Sequence, residues 1–254
     1  MEELGDKTVI VTGASRGIGE ATARHLASLG ASVVLAARTA SVITEIARDI
    51  NADGGMAYAF TCDVSEAGSV EDLIQEAVTR TGRLDVLVNN AGVIDPIAHL
   101  ADSDPDEWAQ VVDINFKGVY YGIRFAIPQM LNQGGGTVIN ISSGAATSAL
   151  EGWSHYCATK AGVLSLTRCA DKEYRDRGIR IIGLSPGTVA TEMQVQIKAS
   201  GINPVSQLDP SVHIPAEWVA ETIAYLSGPG GDAHLGTDFS LKTEEGRAEV
   251  GLPV

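Results

Sequence analysis

The chain has 254 residues, which suits one α/β domain or at most two small ones. With 44% hydrophobic and 20% charged residues it can build a sizeable core, which excludes a disordered chain. A formal net charge of −14 makes nucleic acid a poor partner, so any anionic ligand has to find a local patch of donors. In chain order, Thr8–Thr12 reads as a buried strand and Gly17–Leu29 as a helix. Ser32–Ala36 is a second strand, Val42–Ile50 a second helix, Met56–Cys62 a weaker strand, and Val70–Val78 a helix. Leu84–Val88 is a fourth strand, and a long helix follows from about Asp106 to Leu131, with Pro128 bending its end. Thr137–Ile141, Ser154–Tyr174, Ile179–Leu184 and Pro215–Leu226 then alternate strand and helix, and a short strand lies near Phe239–Leu241.

The strands are continuous apolar runs rather than alternating ones, which argues for a parallel sheet covered on both faces. Repeated βα units make this a doubly wound α/β sheet whose ligand crevice lies at the carboxyl ends of its strands. No linker, repeat or low-complexity tract divides the chain, so a single domain spanning 1–254 is expected. The stretch 191–214 fits no regular element. It holds Pro204, Pro210, Gly201 and Asn203, but also Met193, Val195, Ile197 and Val205. Apolar content in a long insertion favours a substrate-covering lid; a floppy surface loop is the plain alternative.

Cys62, Cys157 and Cys169 show no metal-ligand spacing and read as reduced packing residues of a cytosolic protein. His25, His99, His155, His213 and His234 show none either, so no metal is expected. Met1 to Lys7 carries neither a basic nor an apolar leader. No apolar run reaches the ~20 residues of a membrane span. A cytoplasmic location away from membranes is the expectation.

Between the first strand and helix lies Thr12-Gly13-Ala14-Ser15-Arg16-Gly17-Ile18-Gly19. Glycines there permit a tight turn and let phosphates approach backbone N–H groups at a helix N-terminus. The second strand ends Ala36-Ala37-Arg38. No carboxylate stands at Ala37 to take the ribose hydroxyls of NAD, while Arg38 and Arg16 offer two guanidiniums for a 2′-phosphate. The plain alternative makes both arginines solvated surface charges. Tyr156 and Lys160 are four apart on a predicted helix and share a face. A phenol with an ordinary pKa of ~10 needs tuning before it works as an acid or base near neutrality, and a nearby ammonium supplies it.

The Gly-x-x-x-Gly-x-Gly loop, Asp63-Val64, Asn89-Asn90-Ala91-Gly92, Asn115, Ser143, Tyr156-x-x-x-Lys160 and Pro186-Gly187-Thr188-Val189-Ala190-Thr191 occur in the order of the short-chain dehydrogenase/reductase family, which the chain resembles over nearly its whole length. The resemblance implies a Rossmann fold and a catalytic set of Asn115, Ser143, Tyr156 and Lys160. In it Tyr156 exchanges the proton with a carbonyl or alcohol, and Lys160 holds the nicotinamide ribose. Ser143 orients the substrate oxygen, and Asn115 holds a water behind Lys160. It implies NADP(H), bound by Gly13, Ser15, Arg16, Gly17, Ile18, Gly19, Arg38, Asp63, Val64, Asn90, Ala91, Gly92, Tyr156, Lys160, Pro186, Gly187, Val189 and Thr191. A small-molecule carbonyl or alcohol substrate and a homo-oligomer, tetramer or dimer, are also implied. Spacing selects Ser143 over Ser142, and Trp153 either lines the pocket or packs. The substrate stays open. The family motifs resemble those of 3-oxoacyl-acyl-carrier-protein reductases. Gly152–Cys157 and Thr191–Gln194 resemble the sepiapterin and benzil reductase branch, which reduces vicinal dicarbonyls. The tail, Asp238 to Gly246, departs from the family's Asp-Gly-Gly close. A non-catalytic NADP(H) sensor or scaffold of the same fold is the rival from another class. It would be expected to have lost Tyr156 or Lys160. An epimerase or dehydratase of the extended relatives would need a larger C-terminal domain.

Overall fold

Seven parallel strands in the order β3-β2-β1-β4-β5-β6-β7 form the centre of the computed structural model, which describes residues 4–254. They are β1 Thr8–Thr12, β2 Ser32–Ala37, β3 Met56–Thr61, β4 Val86–Asn89, β5 Gly136–Ile141, β6 Ile179–Ser185 and β7 Asp238–Ser240. Because strands alternate faces, Val9, Val11, Val33 and Leu35 enter one core with helices α1 (Gly17–Ser28), α2 (Ala40–Ala52) and α8 (Ala216–Ser227). Ile10, Val34 and Leu87 enter the other, with α3 (Ala67–Thr81), α5 (Gly118–Asn132) and α6 (Ser154–Tyr174). The order reverses between β1 and β4, so the crevice opens beyond Thr12 and Asn89, where the doubly wound reading expects it.

Several boundaries differ from the sequence reading. The long helix is two: α4 (Pro105–Val112) and α5, joined by a wide π-type turn at Asp113–Lys117. α4 starts at Pro105 because the Asp104 carboxylate accepts from the Asp106 and Glu107 amides and Pro105 occupies a first-turn position whose N–H is dispensable. α5 runs through Pro128 to Asn132, one residue past the expected end. The stretch read as irregular contains α7 (Glu192–Ser200) followed by short 3₁₀ turns at Pro204–Gln207 and Pro210–Val212. A last helix, α9 (Glu244–Val250), was not foreseen; Thr243 caps it by accepting from the Gly246 amide. Cys62 is buried and half-buried Cys157 packs beside Trp153 and Tyr156, but Cys169 is exposed on α6 and is not a packing residue.

A buried polar chain joins the strand ends to α6. Asn89 Nδ2 donates to Asn140 Oδ1 at 2.9 Å, and Asn140 Nδ2 donates to Thr167 Oγ1 at 2.9 Å. Gly122 of α5 makes room, since a Cβ there would sit 2.3 Å from Asn89 Oδ1. Gly→Ala inside a helix ordinarily stabilises, yet here the clash dominates. Gly122→Ala is expected to cost about 1–3 kcal/mol, lowering Tm by roughly 2–10 °C in thermal unfolding; an unchanged Tm would mean that Asn89 yields freely.

Candidate functional site

Thr12 and Asn90 fasten the end of β1 to the end of β4. Thr12 Oγ1 accepts from the Asn90 and Ala91 amides at 3.0 and 3.1 Å and donates to Val88 O at 3.2 Å. Asn90 Nδ2 donates to Thr12 O at 2.8 Å and to Gly13 O at 3.3 Å. The glycine loop is shaped against this junction. A Cβ on Gly19 would lie 2.3 Å from Gly13 O, and Gly13, at φ +65°, would place one 2.8 Å from the Ala91 Cα. Gly17, at φ +56°, would press Thr191 at 3.1 Å, so the loop and Thr191 stand face to face across the crevice. The two conditions, left-handed backbone and no room, both demand glycine.

Arg16 precedes α1 in extended conformation, and Arg38 follows directly on the last residue of β2. Both guanidiniums are exposed, and the arginine ion pairs among the described residues are made by other arginines. Asp63, at the end of β3, is engaged locally: its Oδ1 accepts from the Ser65 amide at 3.0 Å and hydroxyl at 2.7 Å. Burial pushes its carboxyl up, but the Ser65 bonds and the Arg38 charge outweigh it and hold the group below the ordinary aspartate value. Arg38 thus lies within electrostatic reach of Asp63 and leaves its donors to solvent.

At the other side of the crevice, α6 presents Tyr156 and Lys160, both buried. Lys160 Nζ donates to Ile141 O at 2.7 Å and lies 5.6 Å from the centre of the Tyr156 ring. Ser143 begins the turn after β5, its hydroxyl accepting from the Ala145 amide at 3.1 Å. Burial drives the Tyr156 phenol up to about 12, and the neighbouring Ser143 hydroxyl pulls the other way. Burial drives Lys160 down to about 8, against the Asp238 carboxylate. Ser143, Tyr156 and Lys160 are therefore one cluster.

Asn115 spends its side chain elsewhere. It is fully buried in the wide turn, its Nδ2 donating to Val93 O at 2.8 Å and its Oδ1 accepting from the Val93 amide at 2.9 Å. Both ends of the side-chain amide are spent on pinning the segment after Gly92, so a water contact would fall to its main chain. A π-type turn puts the carbonyl ladder out of step and is a frequent feature of functional sites. His155, next to Tyr156, points away to bond Ile94 O at 2.6 Å, so neighbouring side chains of α6 and the π-turn clamp residues 93 and 94 together.

Segment 191–214 closes on itself. Ile214 N donates to Thr188 O at 3.0 Å, and Ala190 N donates to Ile214 O at 2.9 Å. Gly187, at φ +80°, turns the chain into it after Pro186. Val189 pairs with Ile214 in an isolated parallel bridge. From this base α7 sends Ile197 into an apolar cluster with Ile94, Ala145, Trp153 and Tyr156. Trp153 meets the Tyr156 ring edge-on at 5.6 Å, and Asn203 Nδ2 donates to Glu151 O at 2.9 Å. Trp153, undecided from sequence, packs against the tyrosine and lines its surroundings. Sequence reasoning passed over Thr12, His155 and Asp238. Thr12 stood inside the quoted motif, but the other two carried no signal short of their contacts. Among the described residues no group of His, Cys, Asp and Glu is placed to hold a metal ion, and no helix is long and apolar enough to cross a membrane.

A model of the short chain dehydrogenase family matches residues 7–201. A 3-oxoacyl-[acyl-carrier-protein] reductase of Synechocystis is 35% identical over 244 residues, 95% of this chain and 97% of its own. One of Staphylococcus aureus is 40% identical over 188 residues, 74% of this chain and 76% of its own. An uncharacterised oxidoreductase of Staphylococcus saprophyticus is 38% identical over 195 residues, 76% of this chain and 82% of its own.

Proposed function

Because the chain belongs to the short-chain dehydrogenase family of oxidoreductases, we propose that it is an NADPH-dependent carbonyl reductase, interconverting a ketone and its alcohol. The observation that carries the reading is the cluster of buried Tyr156 and Lys160 with half-buried Ser143 at the carboxyl ends of the strands, beside the glycine loop. The residues present fit the dinucleotide: a cradle at Gly13, Gly17 and Gly19 that any Cβ would fill, a helix N-terminus behind it, and Arg16 and Arg38 free for a 2′-phosphate. Gly13 to Gly19 would hold the pyrophosphate, Asp63 and Val64 the adenine, and Asn90 to Gly92 its ribose. Pro186, Gly187, Val189 and Thr191 would meet the nicotinamide side. The bound dihydronicotinamide supplies the hydride.

Tyr156 gives its hydroxyl proton to the carbonyl oxygen during reduction, and Ser143 donates to the same oxygen and orients it. A phenol raised by burial stays protonated at neutral pH and is ready to donate; the reverse direction requires its proton to leave, for which the Lys160 ammonium and a cationic oxidised nicotinamide are the stabilising charges. Segment 191–214 acts as a lid whose Ile197, with Trp153 and Ile94, excludes water and favours a substrate with an apolar group beside its carbonyl. A cytoplasmic homo-oligomer is the expected form.

With Lys160 titrating near 8, reductase activity is expected to fall as pH rises through about 8, where the ammonium loses its charge. A rate that stays level from neutrality to well above that value would contradict the assigned role. The test of the reading is NADPH oxidation by the purified protein against hydrophobic monoketones, vicinal diketones, a 3-oxoacyl thioester and aldehydes. The thioester is the class named for the relatives, and the diketones follow from the resemblance of Gly152–Cys157. Tight NADPH binding with no turnover of any class would replace the reading with that of a non-catalytic NADP(H) sensor.

A further inference from the structure

Outside the cluster just described, one half-buried carboxylate, its Oδ1 atom fully covered, has no local reason to be where it is. Asp238 opens β7 at the sheet edge, opposite Gly183 of β6. In β6, Ile179 and Ile181 face α6 while Ile182 and Leu184 face the opposite core, so Gly183 faces α6. The Asp238 side chain crosses the strand at that glycine: a Cβ on Gly183 would lie 2.7 Å from Asp238 Oδ1. On the far side it reaches β5's end, where Ser142 Oγ donates to Asp238 Oδ2 at 3.0 Å. Ser142 follows Ile141, whose carbonyl takes the Lys160 ammonium at 2.7 Å. Carboxylate and ammonium thus converge on two consecutive residues from two sides. Asp238 Oδ1 is buried and meets no hydrogen-bond donor among the described residues.

We propose that Asp238 is a positioning residue of the reaction: reaching over Gly183, it sets a fixed negative charge behind Lys160 that keeps the buried ammonium protonated beside Tyr156. The proposal rests on the reading of Tyr156 and Lys160 as the acid–base pair. The charged and polar groups facing the carboxylate are Lys160 and Arg168 from α6 and Ser142 from β5, while β6 contributes only Gly183. Asp171, further along α6, is engaged by Arg175. The electrostatics agree in both directions. Burial raises the Asp238 carboxyl to about 6, opposed by Ser142, Lys160 and Arg168, and Asp238 is the group that opposes the burial-driven fall of Lys160 to about 8. Between those values both are charged, which brackets neutrality. Opposite charges in a poorly solvated site hold one another ionised.

The test replaces Asp238 by Asn, which keeps the shape and can still accept from Ser142. Lys160 is followed by NMR in protein carrying isotope-labelled lysine, its signal assigned by its disappearance in Lys160→Arg. Its titration midpoint is expected to fall by about one pH unit or more, and the alkaline limb of carbonyl reduction to move down by the same amount, with the rate near pH 6 little changed. An unchanged Lys160 midpoint overturns the proposal, whatever happens to turnover. Should Asp238→Asn not fold, Asp238→Thr, a good strand former without a charge, takes the same measurement with the same two outcomes. A midpoint that falls in a protein reducing no carbonyl would sink the functional reading and leave the charge pairing standing.

Discussion

Tyr156→Phe is expected to lower carbonyl turnover by about two to four orders of magnitude, the contribution of a positioned acid or base, while NADPH binding and folding persist. The ring is held by the apolar cluster with Trp153 and Ile197, and all of those contacts survive the substitution. The hydroxyl's one neighbour of consequence is Ser143, whose oxygen keeps its bond from the Ala145 amide in the variant. The loss to stability is therefore on the order of 1 kcal/mol, a small shift in Tm. Measuring kcat, the NADPH dissociation constant and Tm separates these effects. A variant with near-normal kcat would remove Tyr156 from the chemistry, and one that no longer binds NADPH would show that the ring has a structural part in the cofactor site.

Arg38→Asp should shift the ratio of kcat/KM for NADPH over NADH by about two orders of magnitude or more toward NADH. A charge-assisted hydrogen bond contributes about 1.5–3 kcal/mol, and the new carboxylate adds repulsion against a 2′-phosphate. It would also lose the Arg38 charge that helps hold Asp63 ionised and add a second negative charge beside it. Arg38 is exposed at the end of β2, so folding is not expected to suffer, and binding of NADH measures that directly. Arg16 remains in this variant, so residual NADPH use reports its share. An unchanged ratio would return both arginines to the status of surface charges.

The sheet was legible in the chain because parallel strands covered on both faces are continuous apolar runs, and β1, β2, β5 and β6 fall within a residue or two of their expected places. Tyr156 and Lys160 were legible as a pair because residues four apart on a helix share a face, while Ser143 was legible only through the family resemblance and its spacing to the tyrosine. The interrupted long helix was not. Asp113–Lys117 has nothing in its composition to forbid a straight helix, and the wide turn goes with Asn115 being spent on Val93 and with the packing of Phe116 against Gly162. Helix α7 was hidden because its apolar stripe is only two residues long: Met193 and Ile197, four apart, meet the cluster around Trp153 and Tyr156, while Val195 is exposed.

By itself, then, the sequence determined what is written in local periodicity and in contiguous motifs: the α/β order, the phosphate-binding turn, the tyrosine and lysine one turn apart. The tertiary structure alone decided which distant groups meet. Asn115 and His155 bind Val93 and Ile94 from separate elements, and Asp238 lies 78 positions beyond Lys160 yet reaches toward it over Gly183 of β6. Such meetings depend on strand order and register, which arise from packing of the whole sheet and leave no short-range signature in the chain.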